Sequence, residues 1–300
     1  MKSILLALCA VVVLCLQLPA HADEASQLQA LVEKVAPSIV TVKVVVKQSF
    51  GGQGGDQESE SKLDMPGVVV DKEGIIMVTN MYFSPARYMQ MLGRGGGGGA
   101  ADIKVTPTDF KVLFDQDDKE YSAFLAATDT KLDLAFLKIE NLGDKKVTPV
   151  DFTGATTGSI GQEIASVNRL NKGYDYAACF EIARLSGQVT KPRKAYLLEG
   201  NISGLGLPVY DLNGNILGVM TTLEPGVKDE SLQEAMGFTN FIKQMVGGNG
   251  GIFRAFVVSN QTVHGVISQA KVQAVEVAKE RAAKKGTSDK PKPAPDKSKH

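Results

Sequence analysis

Thr128-Asp129-Thr130-Lys131-Leu132-Asp133-Leu134-Ala135-Phe136-Leu137-Lys138-Ile139 sets a polar turn against a compact apolar run. The run Leu134 to Ile139 has the length and composition of a buried strand. Upstream, Gly67-Val68-Val69-Val70-Asp71-Lys72-Glu73-Gly74-Ile75-Ile76-Met77-Val78-Thr79-Asn80-Met81-Tyr82 repeats the pattern. Two β-branched runs flank Asp71-Lys72-Glu73-Gly74, which predicts a hairpin with the glycine at positive φ. Downstream, Gly204-Leu205-Gly206-Leu207-Pro208-Val209-Tyr210-Asp211-Leu212-Asn213-Gly214-Asn215-Ile216-Leu217-Gly218-Val219 predicts a second hairpin. Between and around these lie further short runs: Ile39–Val46, Phe110–Asp115, Tyr121–Ala127, Tyr176–Ala183, Ser186–Thr190 and Ala195–Glu199. Gly158 to Val167 adds a strand pair, and Gly51 to Lys62 reads as a polar loop. Short strands at this spacing, without alternating helices, predict an all-β barrel protein.

The three segments, in this order and spacing, resemble the trypsin-like serine proteases, most closely the Deg (high-temperature-requirement) branch. Val35-Ala36-Pro37-Ser38-Ile39-Val40-Thr41-Val42 is similar to that branch's opening strand, and the resemblance covers about residues 27–245. It implies two antiparallel six-stranded β-barrels, the second starting near Val147, with a catalytic crease between them. In the family the first segment ends Thr-Asn-Asn-His, the second reads Asp-Leu-Ala-Val-Leu-Lys, and the third contains Gly-Asn-Ser-Gly-Gly-Pro. On this chain the histidine slot is Tyr82, the aspartate slot Asp133 and the serine slot Leu205.

The substitutions remove the chemistry that the resemblance implies. A serine hydroxyl needs a neighbouring base, and the base needs a third group to orient it. A phenol titrates near ~10 and is a poor base at neutral pH, and leucine has no nucleophilic atom. The histidines are His21, His264 and His300, so a Ser-His-Asp triad has no imidazole between residues 22 and 263. Ser203 is the fallback nucleophile if Gly200-Asn201-Ile202-Ser203-Gly204 is Gly-Asn-Ser-Gly with an inserted isoleucine. The expectation is a catalytically inactive protease homologue that binds a protein or extended peptide in the inter-barrel cleft. The alternative is an active serine endopeptidase arranged around Ser203.

Lys2, the apolar run Ile4–Leu18 and Ala20-His21-Ala22 read as a signal peptide cleaved after Ala22. This predicts a secreted, periplasmic or otherwise exported protein with no integral membrane span after cleavage. Cys9 and Cys15 leave with the leader, and Cys179 then reads as a small buried apolar residue. Residues 23–270 carry 23 basic and 29 acidic side chains, a net charge of −6, whereas residues 271–300 hold nine basic and four acidic. An acidic body is not the electrostatic footprint of a nucleic-acid binder.

The expected division is a double-barrel domain over 23–247, a hinge and C-terminal helix over 248–285, and a disordered basic tail over 286–300. Ser259 or Asn260 can cap the helix, whose apolar stripe Val263, Ile267, Ala270 and Ala274 is expected to pack on the second barrel. Phe241-Ile242 can begin a short helix. No stretch after residue 247 resembles a PDZ module. Arg94 and Gly95–Gly99 read as a flexible insertion; no Lys-Ser/Thr follows, so this is not a phosphate-binding loop. Asp115-Gln116-Asp117-Asp118 lacks the glycine and distal glutamate of a calcium loop and reads as a hairpin turn. No metal or cofactor is expected.

Overall fold

A computed structural model describes residues 20–50, 57–84, 103–115, 117, 119–154, 156–200, 202–223 and 255–288. The leader through Pro19, Phe241-Ile242, the glycine run at 95–99 and the tail from 289 lie outside them. Twelve strands form two closed antiparallel barrels, followed by a C-terminal helix. The first barrel contains β1 (Ile39–Phe50), β2 (Gln57–Asp71), β3 (Ile75–Thr79), β4 (Ile103–Phe114), β5 (Glu120–Asp129) and β6 (Leu134–Ile139). The second contains β7 (Glu163–Arg169), β8 (Ala178–Val189), β9 (Ala195–Gly200), β10 (Pro208–Asp211), β11 (Ile216–Thr222) and β12 (Ala255–Ser259). Around the rings the orders are β1-β2-β3-β6-β5-β4 and β7-β8-β9-β12-β11-β10, so the second barrel repeats the connectivity of the first.

The two hairpins that the sequence predicts are present. Gly74 turns at φ +84° and donates its N–H to the Asp71 carbonyl at 3.1 Å. Three apolar clusters follow from the alternation of the strands. One fills the first barrel around Val42, Val69, Ile76 and Leu137. A smaller one fills the second around Ile164, Leu185, Val209 and Val257. The third lies between the barrels, joining Met77, Leu134 and Phe136 to Ala165, Leu207 and Val219, with Leu31 and Ile267 from the helices at either end of the described chain.

Helix α1 (Ala20–Val35) buries Leu28, Leu31 and Val35 against β7 and β8. Helix α2 (Asn260–Ser288) buries Val263, Ile267, Ala270 and Ala274. Its partner differs from expectation: it crosses both barrels, meeting β5 and β6 as well as β11 and β12. An ion pair of Lys271 to Asp71 at 2.5 Å and one of Arg281 to Glu140 at 2.7 Å fasten it to the first barrel.

Four stretches differ from the sequence reading. Gly158–Val167, expected as a strand pair, supplies only the start of β7, with Gly158–Gln162 outside any strand. The polar segment before Lys62 is no loop from residue 57 onward: Gln57–Lys62 extends β2 along β1, with Phe50 opposite Gln57. The two strands expected over Tyr176–Ala183 and Ser186–Thr190 are one, β8 (Ala178–Val189), with a register shift between Leu185 and Gly187 that a sequence reading takes for a break. Ala255–Ser259, expected within the hinge and helix segment after 247, is the closing strand of the second barrel, paired to β11 and β9.

Candidate functional site

The crease is built where β3 ends, where the β5–β6 turn closes and where the chain turns into β10. Thr79 and Asn80 are buried, and the Asn80 N–H donates to the Asp133 carbonyl at 2.8 Å. Opposite them, Gly206 turns at φ +85°, and a Cβ there would lie 2.7 Å from the Thr79 nitrogen. The two barrels therefore touch backbone to backbone at this point. Only a glycine fits, by conformation and by space.

Asp133 is 2 % exposed and sits at φ +55°, a conformation that aspartate tolerates better than most residues. The Thr222 hydroxyl, on the second barrel, donates to its Oδ2 at 2.6 Å. Beside it the Thr221 hydroxyl donates to the Leu132 carbonyl. The aspartate slot is thus a bond between barrels. Asp133→Ala is expected to lower stability by about 2–3 kcal/mol, because it removes a buried charge-assisted hydrogen bond and puts alanine at positive φ. Asp133→Asn, which keeps an acceptor for Thr222 and tolerates the backbone, should cost less than half as much. Equal losses in urea unfolding would refute this reading of Asp133.

Tyr82 is half-buried against the first barrel's cluster, and Leu205 is half-buried against the second's. Leu207, two residues on, is fully buried in the cluster between the barrels.

Ser203 is exposed, and its environment is one that the sequence did not reveal. Its hydroxyl donates to Glu181 Oε1 at 2.6 Å and its N–H to Glu181 Oε2 at 2.9 Å. The N–H of Leu205 donates to the Ser203 carbonyl at 3.0 Å. In serine acyl transfer, the oxyanion is held by the N–H of the nucleophile and of the residue two before it. With Leu205 in the nucleophile slot, those groups belong to Leu205 and Ser203, and both are engaged internally. The next two are engaged as well: Gly206 donates to Met220 at 2.7 Å and Leu207 to Gly204 at 3.0 Å. Glu181, Thr221 and Thr222 carry no sequence signal as site residues, since each becomes informative only beside a residue distant in the chain.

Cys179 is half-buried on β8, with its Sγ 3.8 Å from the Asn168 carbonyl. Burial, and then the Glu181 carboxylate, push its thiol pKa up, which disfavours the thiolate. Among the described residues no group of His, Cys, Asp and Glu side chains could hold a metal.

Two closed six-stranded barrels, a crease between them and a C-terminal helix define the trypsin-like fold. Among solved structures, one titled "Crystal structure of Deg5" is similar to this chain, with 19% identity over 68% of this chain and 87% of that one, at a TM-score of 0.45. No family model matches the sequence. No curated protein matches it either.

Proposed function

We propose that this is an exported, catalytically inactive homologue of the Deg-type proteases, which binds a protein or extended peptide in the crease without cleaving it. One observation carries the reading: the N–H groups at the nucleophile slot and two residues before it are bonded to Ser203 O and Glu181, so neither is free to hold an oxyanion. The absence of histidine from residues 22–263 supports it independently. Export rests on the leader-like residues 1–22. Extended peptides bind such clefts through backbone groups, a mode that does not need the triad.

The Ser203–Glu181 contact favours a second reading, a serine peptidase with a carboxylate in place of imidazole. In that arrangement Glu181 must release the Ser203 N–H to free an oxyanion donor. A fluorophosphonate probe and a casein digestion assay separate the two. The expected result is no labelling and no digestion, together with selection of binding sequences from a peptide library, lost in Leu205→Asp. Stoichiometric labelling that vanishes in Ser203→Ala would overturn the proposal.

Restoring Tyr82→His and Leu205→Ser together is expected not to yield a protease. The new serine would still lack a free oxyanion donor, and Gly206 fixes the turn against Thr79. Because Leu205 is half-buried, the stability cost should be about 1–2 kcal/mol, below that of a fully buried leucine. Casein hydrolysis by the double variant would mean that the turn rearranges freely.

A further inference from the structure

We infer that the C-terminal helix docks the protein peripherally on an anionic lipid surface. This holds whether or not the crease binds a peptide. Between α2 and the ends of β3 and β6 runs a groove of about 340 Å³, lined by Ile75, Val275 and Ala278 and by the charged Glu73, Lys138, Lys271 and Lys279. Val272 and Val275 are 62 % and 49 % exposed, two of the few large apolar side chains so placed among the described residues. At about 100° per residue, Lys271, Val272, Val275, Ala278, Lys279 and Ala282 fall within an arc of about 120° on one flank of the helix. Glu276 falls about 40° beyond the arc, beside Val272, and Glu280 about 80° beyond it. The helix thus presents valines beside two lysines, of which Lys271 is already paired with Asp71 and Lys279 is left to face outward.

Charge selects the occupant. Residues 271–300 carry nine basic and four acidic side chains, against a net −6 for residues 23–270. An anionic bilayer attracts the first and repels the second, so it orients the molecule with α2 toward the lipid. Lysines meet the phosphates while the valines reach the headgroup boundary. Among the described residues no helix is long and apolar enough to cross a membrane, which is consistent with a helix that lies on the surface.

The test is co-sedimentation of the protein with vesicles of equal parts phosphatidylglycerol and phosphatidylcholine, against phosphatidylcholine alone. Binding to the anionic vesicles should be at least about tenfold tighter, and Val275→Asp with Lys279→Glu should weaken it by about tenfold or more. Glu280→Lys, further round the helix from the strip, should change it by less than about threefold. Both altered positions are exposed, so the variant should melt with the parent; if it does not, Val272→Asp replaces it. Equal binding to both vesicles, or undiminished binding of the variant, overturns the inference.

Discussion

Arg169→Met is expected to lower stability by about 3–5 kcal/mol, the cost of breaking a buried charged network by removing one partner. Arg169 ends β7, and its side chain is 2 % exposed. Its guanidinium donates from Nε to the Ile39 carbonyl at 2.7 Å, from Nη2 to Ala36 at 2.8 Å and from Nη1 to Tyr176 at 3.0 Å. Nη1 also pairs with Asp115 of the β4–β5 turn at 2.9 Å. One planar fork therefore ties the entry into β1, the first barrel's β4–β5 turn and the second barrel's β7–β8 loop. Asp115 and Tyr176 both sit near φ +50°, so the same group holds two backbone conformations that cost energy elsewhere. In a chain of this size the loss corresponds to a fall of about 6–20 °C in Tm. Arg169→Lys should recover less than half, because one ammonium cannot match the geometry of the fork. A methionine variant within about 1 kcal/mol of the parent would show that water takes over these carbonyls at little cost.

Gly218→Ala should be worse still, above about 4 kcal/mol, and should prevent the second barrel from closing. A Cβ at 218 would stand 1.9 Å from the Val258 carbonyl oxygen and 2.8 Å from its carbon. The obstacle is backbone, in the strand that β11 must pair with, so no rotamer change relieves it. The expected product is insoluble, or soluble with the second barrel open to limited proteolysis. Gly265→Ala is the control. Gly265 lies inside α2, and a Cβ added there would meet nothing within 4 Å, so the change should stabilise by about 0.5–1 kcal/mol. A Gly218→Ala variant that melts like the parent would mean that β11 and β12 are not paired as described.

The barrels were legible because their strands obey local rules. β-branched runs, the turns ending in Glu73-Gly74 and Asn213-Gly214, and the capped helix at Asn260 each carry their own signal. What escaped depends on pairing. Gln57–Lys62 is polar because it lines an extension of the β1–β2 hairpin, not a core, so composition alone reads it as loop. Ala255–Ser259 has only five residues, and its partners lie far back in the sequence, in β9 and β11. The candidate site divides in the same way. Tyr82, Asp133 and Leu205 were found through motif spacing; Tyr82 and Leu205 pack against the two barrel clusters, and Asp133 accepts a hydrogen bond from Thr222. Arg169 and Glu181 were invisible: a single charged residue in a strand looks solvated until the carbonyls or the hydroxyl it binds are placed beside it.

The late position of β12 also orders the events of synthesis. Every strand of the first barrel has been made by residue 139, and that unit can collapse while the rest is still being translated. The second cannot complete its ring until residue 259 emerges, after a stretch of more than thirty residues that separates β11 from β12. Until then β9 and β11 present unpaired edges, which invite association with other nascent chains. A ribosome that stalls or terminates within that stretch releases a half-molecule with a finished first barrel and an adhesive second one. Such a fragment is a natural client for a chaperone.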